Sequence, residues 1–180
     1  MGAVEKAYAA ALLEIAYEDG NAPEIDGELS QIAEIFGDNP EFMDILCAPD
    51  VADTEKTGLL TSVFSGRVTD TVLDFMCLLA VKGRIGRFAP IAREYRRGYY
   101  ERAGIAEAAV TTAVPLGAKE RAALKEKLER KYRKRLIITE KVDPAIIGGV
   151  VVKIGDELLD GSVRTRLASM KQQIEEKIIV

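Results

Sequence analysis

"VDPAIIGGVVVKIGDELLDGSVRTRL" spans residues 142–167, and its reading decides the fold of the second half of the chain. Glycines punctuate a run of branched apolar residues, and Gly155-Asp156 and Asp160-Gly161 follow before a basic helix start. Such a stretch is either a loop that cradles phosphate or the turns of a small sheet. A P-loop needs G-x-x-x-x-G-K-[ST] between a strand and a helix, so that backbone N–H groups and a lysine converge on phosphate. Here Gly148 and Gly149 precede a strand, Lys153 lies inside it, and no Gly-Lys-Ser/Thr occurs in the chain. No G-x-G-x-x-G fingerprint is present either, and the stretch does not match the G-x-x-G clamp of KH domains. The glycines have backbone tasks instead: a helical stop, a hairpin turn, and the turn before Ser162.

Read this way, "VVVKI" (150–154) and "ELLD" (157–160) form a hairpin through Gly155-Asp156. Ser162 caps a last helix, with Val163, Leu167, Met170, Ile174 and Ile178 spaced as its buried stripe. A helix start at Ser162-Val163-Arg164 attracts an anion no more than other helix N-termini do. Working outward, "IAEAAVTTAV" (105–114) alternates and is rich in β-branched residues, which predicts a strand ended by Pro115. Residues 117–134 are helical in pattern, "RLIITEKV" (135–142) is a second strand, and Asp143-Pro144 starts a helical turn. Residues 105–180 therefore read as a small β-α-β-β-β-α domain.

Residues 1–104 read as an antiparallel six-helix bundle, because the connections are only two to six residues long. The first helix, about 3–19, places Val4, Tyr8, Leu12 and Ile15 on one face. The second follows Pro23, with Ile25, Leu29, Ile32 and Ile35/Phe36, and stops at Gly37. A short third helix from Asn39-Pro40 holds Phe42, Ile45 and Leu46. Thr54 is the expected N-cap of the fourth, with Leu59, Leu60, Val63 and Phe64 inward. The fifth runs from about Thr69 to Lys82 and ends at Gly83. The sixth, Ile85 to Arg102, carries Phe88, Ile91, Tyr95 and Tyr99 on one stripe and tolerates Pro90 in an early turn.

Composition narrows function. Of 180 residues 48% are hydrophobic and 30% charged, which excludes a disordered chain. The net charge of −4 argues against a dedicated nucleic-acid binder. No apolar run reaches the roughly 18–20 residues of a membrane span, and the first twenty residues lack the pattern of a secretory signal. Histidine is absent, so the commonest general base and metal ligand are missing. A Ser-His or Cys-His nucleophile pair is impossible within the chain. No cofactor or metal site is expected. Cys47 and Cys77, in apolar surroundings, read as two reduced core residues.

Two stretches remain. "KERAALKEKLERKYRKR" (119–135) holds nine basic and three acidic residues. It reads as a solvated amphipathic helix with Leu124, Leu128 and Tyr132 inward; a basic-helix RNA-binding adaptor is the alternative, weakened by few aromatics for base stacking. The first and fifth helices carry too much apolar surface for a peripheral helix, which needs one stripe. Ala9, Ala10, Leu13 and Ala16 add to the first helix, and "FMCLLAV" (75–81) is apolar around its circumference. Either both helices are central, the simpler reading of the residues alone, or together they leave an apolar groove for a partner helix.

Four segments then carry a resemblance: "YAAALLEIA" (8–16), "FMCLLAVKGRIGRFAPIAREY" (75–95), "AAVTTAVPL" (108–116) and the opening block at 142–167. In this order and over nearly the whole chain they resemble the delta subunit of the F-type ATP synthase, the family of the oligomycin-sensitivity-conferring protein. The resemblance implies a non-catalytic stator subunit that ties the catalytic head to the peripheral stalk. It implies that residues 1–104 clasp N-terminal segments of alpha subunits, and that residues 105–180 meet the C-terminal ends of the membrane-anchored b subunits. The groove positions it implies are Tyr8, Ala11, Leu12 and Ile15 on the first helix, with Leu78, Leu79, Lys82 and Gly83 on the fifth. It shifts the choice above to the groove. Val81, where relatives often carry a polar residue, and the strongly basic 119–135 helix depart from the pattern. It further implies no nucleic acid, and membrane association only through the complex. The chain shows no transit peptide, so a bacterial subunit at the cytoplasmic face of the cell membrane, or a mature form, is expected.

Overall fold

The computed structural model describes residues 2–155 and 157–178, with side chains described through Met170. The chain divides into two compact units between Arg102 and Ala103. Helices fill the first: α1 (Ala3–Glu18), α2 (Ala22–Asp38), α3 (Pro40–Cys47), α4 (Asp53–Phe64) and α5 (Asp70–Val81). A 3-10 turn (Ile85–Arg87) then leads into α6 (Phe88–Ala103). Prolines start two of these helices, at Pro23 and Pro40, where a missing N–H costs nothing. Pro90 sits in the first turn of α6 for the same reason.

One apolar core unites the helices. Phe36 packs its ring 5.1 Å from Phe88, 6.0 Å from Phe64 and 6.1 Å from Phe42. Tyr95 is fully buried and satisfies its hydroxyl by donating to the Ala22 carbonyl at 3.1 Å. Glu28 of α2 fixes the start of α5, accepting from the Thr69 N–H at 2.9 Å and the Thr69 hydroxyl at 2.8 Å.

Several expectations are corrected here. The buried face of α1 is Glu5, Ala9, Leu12, Leu13 and Ala16, so Ile15 points to water. Small alanines on that face allow close packing, which turns the larger Ile15 outward. Ile35, Ile45, Leu59 and Val63 are likewise exposed, since Phe36, Leu46, Leu60 and Phe64 fill the space beside them. α2 runs through Gly37 to Asp38. α4 begins at Asp53 with Ala52 in the cap position, and Thr54 lies inside its first turn. Cys47 is exposed, and only Cys77 is partly buried against the core.

The second unit holds β1 (Ile105–Thr112), α7 (Ala118–Tyr132), β2 (Arg135–Val142), a 3-10 turn (Pro144–Ile146), β3 (Val150–Ile154), β4 (Glu157–Asp160) and α8 (Val163–Ile178). The strands form one mixed sheet in the order β2-β1-β3-β4. β1 and β2 are parallel, pairing Ile105 with Arg135 through Thr112 with Val142. A parallel pair needs a crossover, which α7 supplies. β3 pairs antiparallel with both β1 and β4. Ala108, Val110, Leu128, Leu136, Val152 and Ile154 are the buried core.

The last helix departs most from the sequence reading. Val163, Leu167 and Met170, expected inward, are exposed. The described core of this unit is formed by the sheet with Leu128 of α7, and Leu124 and Tyr132 of the same helix pack against it. The side chains of Ile174 and Ile178, and Asp156 of the hairpin turn, lie outside the described residues.

Candidate partner-binding surface

The opening stretch, at atomic detail, binds itself. The Gly161 N–H donates to the Val150 carbonyl at 2.9 Å, and the Val163 N–H donates to the Gly148 carbonyl at 2.9 Å. Asp160 accepts from the Ser162 N–H at 2.9 Å and the Thr165 hydroxyl at 2.8 Å. The Ser162 hydroxyl caps α8 by accepting from the Thr165 N–H at 3.2 Å. Gly149 has φ +82°, and a β-carbon there would strike the Gly161 carbonyl oxygen. These N–H groups already have acceptors, so they are not free to cradle phosphate. The residues of the stretch launch α8 from the sheet.

The basic helix α7 is a solvated face. Arg121 reaches Glu140 at 2.8 Å, Arg130 reaches Glu126 at 2.6 Å, and Lys131 lies 4.0 Å from Glu157. Leu128 is buried, with Leu124 and Tyr132 packed behind it. Glu120 caps the helix by accepting from the Gly117 N–H at 2.9 Å.

On the helical unit, α1 and α5 meet at Tyr8. Its ring lies edge-on to Phe75 at 6.2 Å, while Arg84, just past α5, stacks over it and donates to its hydroxyl at 2.9 Å. Arg84 in turn is held by a backbone bond from its N–H to the Leu79 carbonyl at 2.7 Å. Glu5, one turn before Tyr8, pairs with Arg87 at 2.5 Å; its own backbone N–H and Arg87 hold its carboxyl below the ordinary range.

The eight positions named from sequence separate into two groups. Leu12 and Leu79 are buried in the core of the helical unit. Ala11, Ile15, Leu78, Lys82 and Gly83 are exposed, and Tyr8 is half-buried between them and the core. Ile15 is 46% exposed and Leu78 45%, large values for such side chains. Val81, at 46%, extends the strip along α5. Lys82 and Gly83 end α5: the Lys82 N–H returns to the Leu78 carbonyl, and Gly83 takes φ +63°. Sequence reasoning missed Arg84, whose contact with Tyr8, 76 positions away, is made only by the fold.

A concavity of about 240 Å³ between α2 and α6 is lined by Ser30, Ala33, Glu34, Ala89, Ala92, Arg93 and Arg96. Arg96 donates to Ser30 and, at 3.2 Å, to Asp26. Among the described residues no group of three or more metal-binding side chains gathers, and no helix is long and apolar enough to cross a membrane.

Exposed apolar residues on α1 and α5 are the kind of surface feature that marks an interaction site. Comparison with known proteins names the class. A family model described as ATP synthase delta (OSCP) subunit matches residues 4–174. ATP synthase subunit delta of Clostridium kluyveri is 35% identical over 169 residues, covering 94% of this chain and 93% of its own length. Its counterpart in Clostridium botulinum is 34% identical over 171 residues, covering 95% and 96%. A chain of the Toxoplasma gondii mitochondrial ATP synthase hexamer shares the fold, with a TM-score of 0.65 at 19% identity, over 96% of this chain and 98% of its own. The chain belongs to the ATP synthase delta (OSCP) subunit family. It is a non-catalytic subunit of an F-type ATP synthase, with its role in the peripheral stalk.

Proposed function

We propose that residues 1–104 act as one six-helix bundle that clasps the N-terminal segment of an alpha subunit along α1 and α5. The observation that carries this is the exposure of Ile15 on α1 and of Leu78 and Val81 on α5, two helices joined at the Tyr8–Phe75 ring contact. An amphipathic helix laid on that strip removes these side chains from water, with Ala11 small enough to let its backbone approach. Burying three or four large apolar side chains contributes on the order of 5–10 kcal/mol before the cost of association.

The β-α-β-β-β-α unit, residues 105–180, meets the C-terminal ends of the b subunits. The link is mechanical: it holds the head still against rotor torque, so slow dissociation is the quantity that matters. In this reading the protein stays at the cytoplasmic face of a bacterial membrane and touches the bilayer only through the complex. Affinity purification of the tagged protein from cells tests the reading. Alpha and b subunits are expected together in the eluate. Recovery of neither overturns the reading.

A further inference from the structure

The concavity between α2 and α6 carries charged groups on both of its walls. Its volume is about 240 Å³, and its apolar lining is three alanines, Ala33, Ala89 and Ala92. Packed helices interdigitate their side chains and leave few voids; here the space stays open, with methyl groups on both helices. Arg96 on the α6 wall is fixed in place. Its Nε donates to Asp26 at 3.2 Å and its Nη2 to the Ser30 hydroxyl, which itself donates to the Asp26 carbonyl at 2.6 Å. Asp26 is 8% exposed, so a buried carboxylate orients the guanidinium fork. The fork has further N–H groups, and those on Nη1 have no acceptor among the described residues.

Two more charges complete the lining, and neither has a partner. Arg93, one turn before Arg96, makes no ion pair or side-chain hydrogen bond among the described residues, and nor does Glu34 on the α2 wall. Positions i and i+3 of a helix have β-carbons roughly 5–6 Å apart, so the two arginines stand side by side. Opposite charges that line one hollow without meeting leave a gap, which a small molecule of the reverse charges bridges. Two cations and one anion in the lining match two carboxylates and one ammonium in the ligand. Arginine–carboxylate contacts are strong and directional, whereas a plain dianion would be repelled by Glu34. The volume is below the roughly 300–1,000 Å³ of pockets for drug-sized ligands, which restricts the occupant to a small metabolite. We infer that this concavity binds a small acidic amino acid, with its carboxylates on Arg93 and Arg96, its ammonium on Glu34 and its methylene chain against the alanines. Occupancy ties α2 to α6 and stabilises the helical unit by mass action.

The test is an amide NMR titration of the full chain with L-glutamate at constant ionic strength. Glutarate, which lacks the ammonium, and inorganic phosphate, a plain anion, are the comparison probes. L-glutamate is expected to shift the Ala33, Ala89 and Arg93 amides saturably, with a dissociation constant of about 1 mM or tighter, and to raise the melting temperature. Glutarate and phosphate are expected to bind at least about tenfold more weakly. Arg93→Gln and Glu34→Gln, both at exposed positions, are expected to fold as the parent does and to weaken glutamate by about tenfold. Glu34→Gln is also expected to narrow the preference for glutamate over glutarate. Ala89→Leu fills the hollow and is expected to abolish the shifts. No saturable shift in the parent, or the same titration in Ala89→Leu, overturns the assignment. Glutarate or phosphate binding as tightly as glutamate overturns it in favour of a plain anion site. Equal glutamate affinity in Glu34→Gln overturns the ammonium contact and with it the ligand class.

Discussion

The Arg84 guanidinium lies 5.5 Å from the centroid of the Tyr8 ring and donates from Nη1 to the Tyr8 hydroxyl at 2.9 Å. One cation thus ties the exit of α5 to the face of α1 and sets the edge of the apolar strip. Tyr8→Phe keeps the ring and loses the hydrogen bond; Arg84→Ala loses both contacts. Because Arg84 is exposed, stability should fall by only about 0.5–1 kcal/mol in Arg84→Ala. Alpha-peptide affinity should fall more than stability does. Parallel denaturant melts and peptide calorimetry check this, and an unchanged affinity in Arg84→Ala would remove Arg84 from the site.

Neighbouring residues on α5 should separate folding from binding. Leu79 is fully buried, so Leu79→Ala should destabilise the helical unit by about 2–5 kcal/mol. Leu78 is exposed, so Leu78→Asp should change stability by no more than about 0.5 kcal/mol while weakening the peptide. Urea midpoints and titrations of the two variants give the comparison. Equal melts for both would place the boundary between core and strip elsewhere.

Gly149 should tolerate no side chain. At φ +82°, with the Gly161 carbonyl where a β-carbon would stand, Gly149→Ala should cost about 1–3 kcal/mol or more in strain. Gly155, also at positive φ but in open space, is the control, and Gly155→Asn should be milder because asparagine accepts that conformation. The thermal unfolding of the two variants decides it, and a larger loss at Gly155 would contradict the packing described.

Asp160 gives the pH dependence. The Ser162 N–H, then the Ser162 and Thr165 side chains, hold its carboxyl below the ordinary aspartate value of 3.8. A group depressed in the folded state adds stability that is fully present above its unfolded value and is lost as pH falls through its folded value. The cap of α8 should therefore hold at neutral pH and weaken only in acid below that value. A carboxyl-carbon titration by NMR should place the Asp160 midpoint under 3.8; a midpoint at or above it would contradict the cap.

Much of this was legible in the sequence, and the failures share a cause. Turn residues and periodicity locate the helices and the sheet because glycine, proline and the 3.6 and 2.0 periods act locally. Periodicity does not tell which of two adjacent apolar faces the rest of the chain will cover. On α1 the alanine face packs and Ile15 is left out; on α8 the spacing is regular, but Val163, Leu167 and Met170 are exposed. The apolar excess of α1 and α5 was visible from composition, but Arg84 was not, since its role depends on a fold-dependent approach to Tyr8, 76 positions away.

The central claim is that the α1/α5 strip holds the alpha-subunit N-terminus. The most direct measurement is calorimetric titration of the full chain, and of its Leu78→Asp variant, with a peptide of that N-terminal segment. The parent should bind in an apolar-driven reaction with a negative heat-capacity change, and Leu78→Asp should bind at least about tenfold more weakly with the same melting temperature. No heat with the parent at high micromolar peptide, or equal affinity in the two proteins, would contradict it.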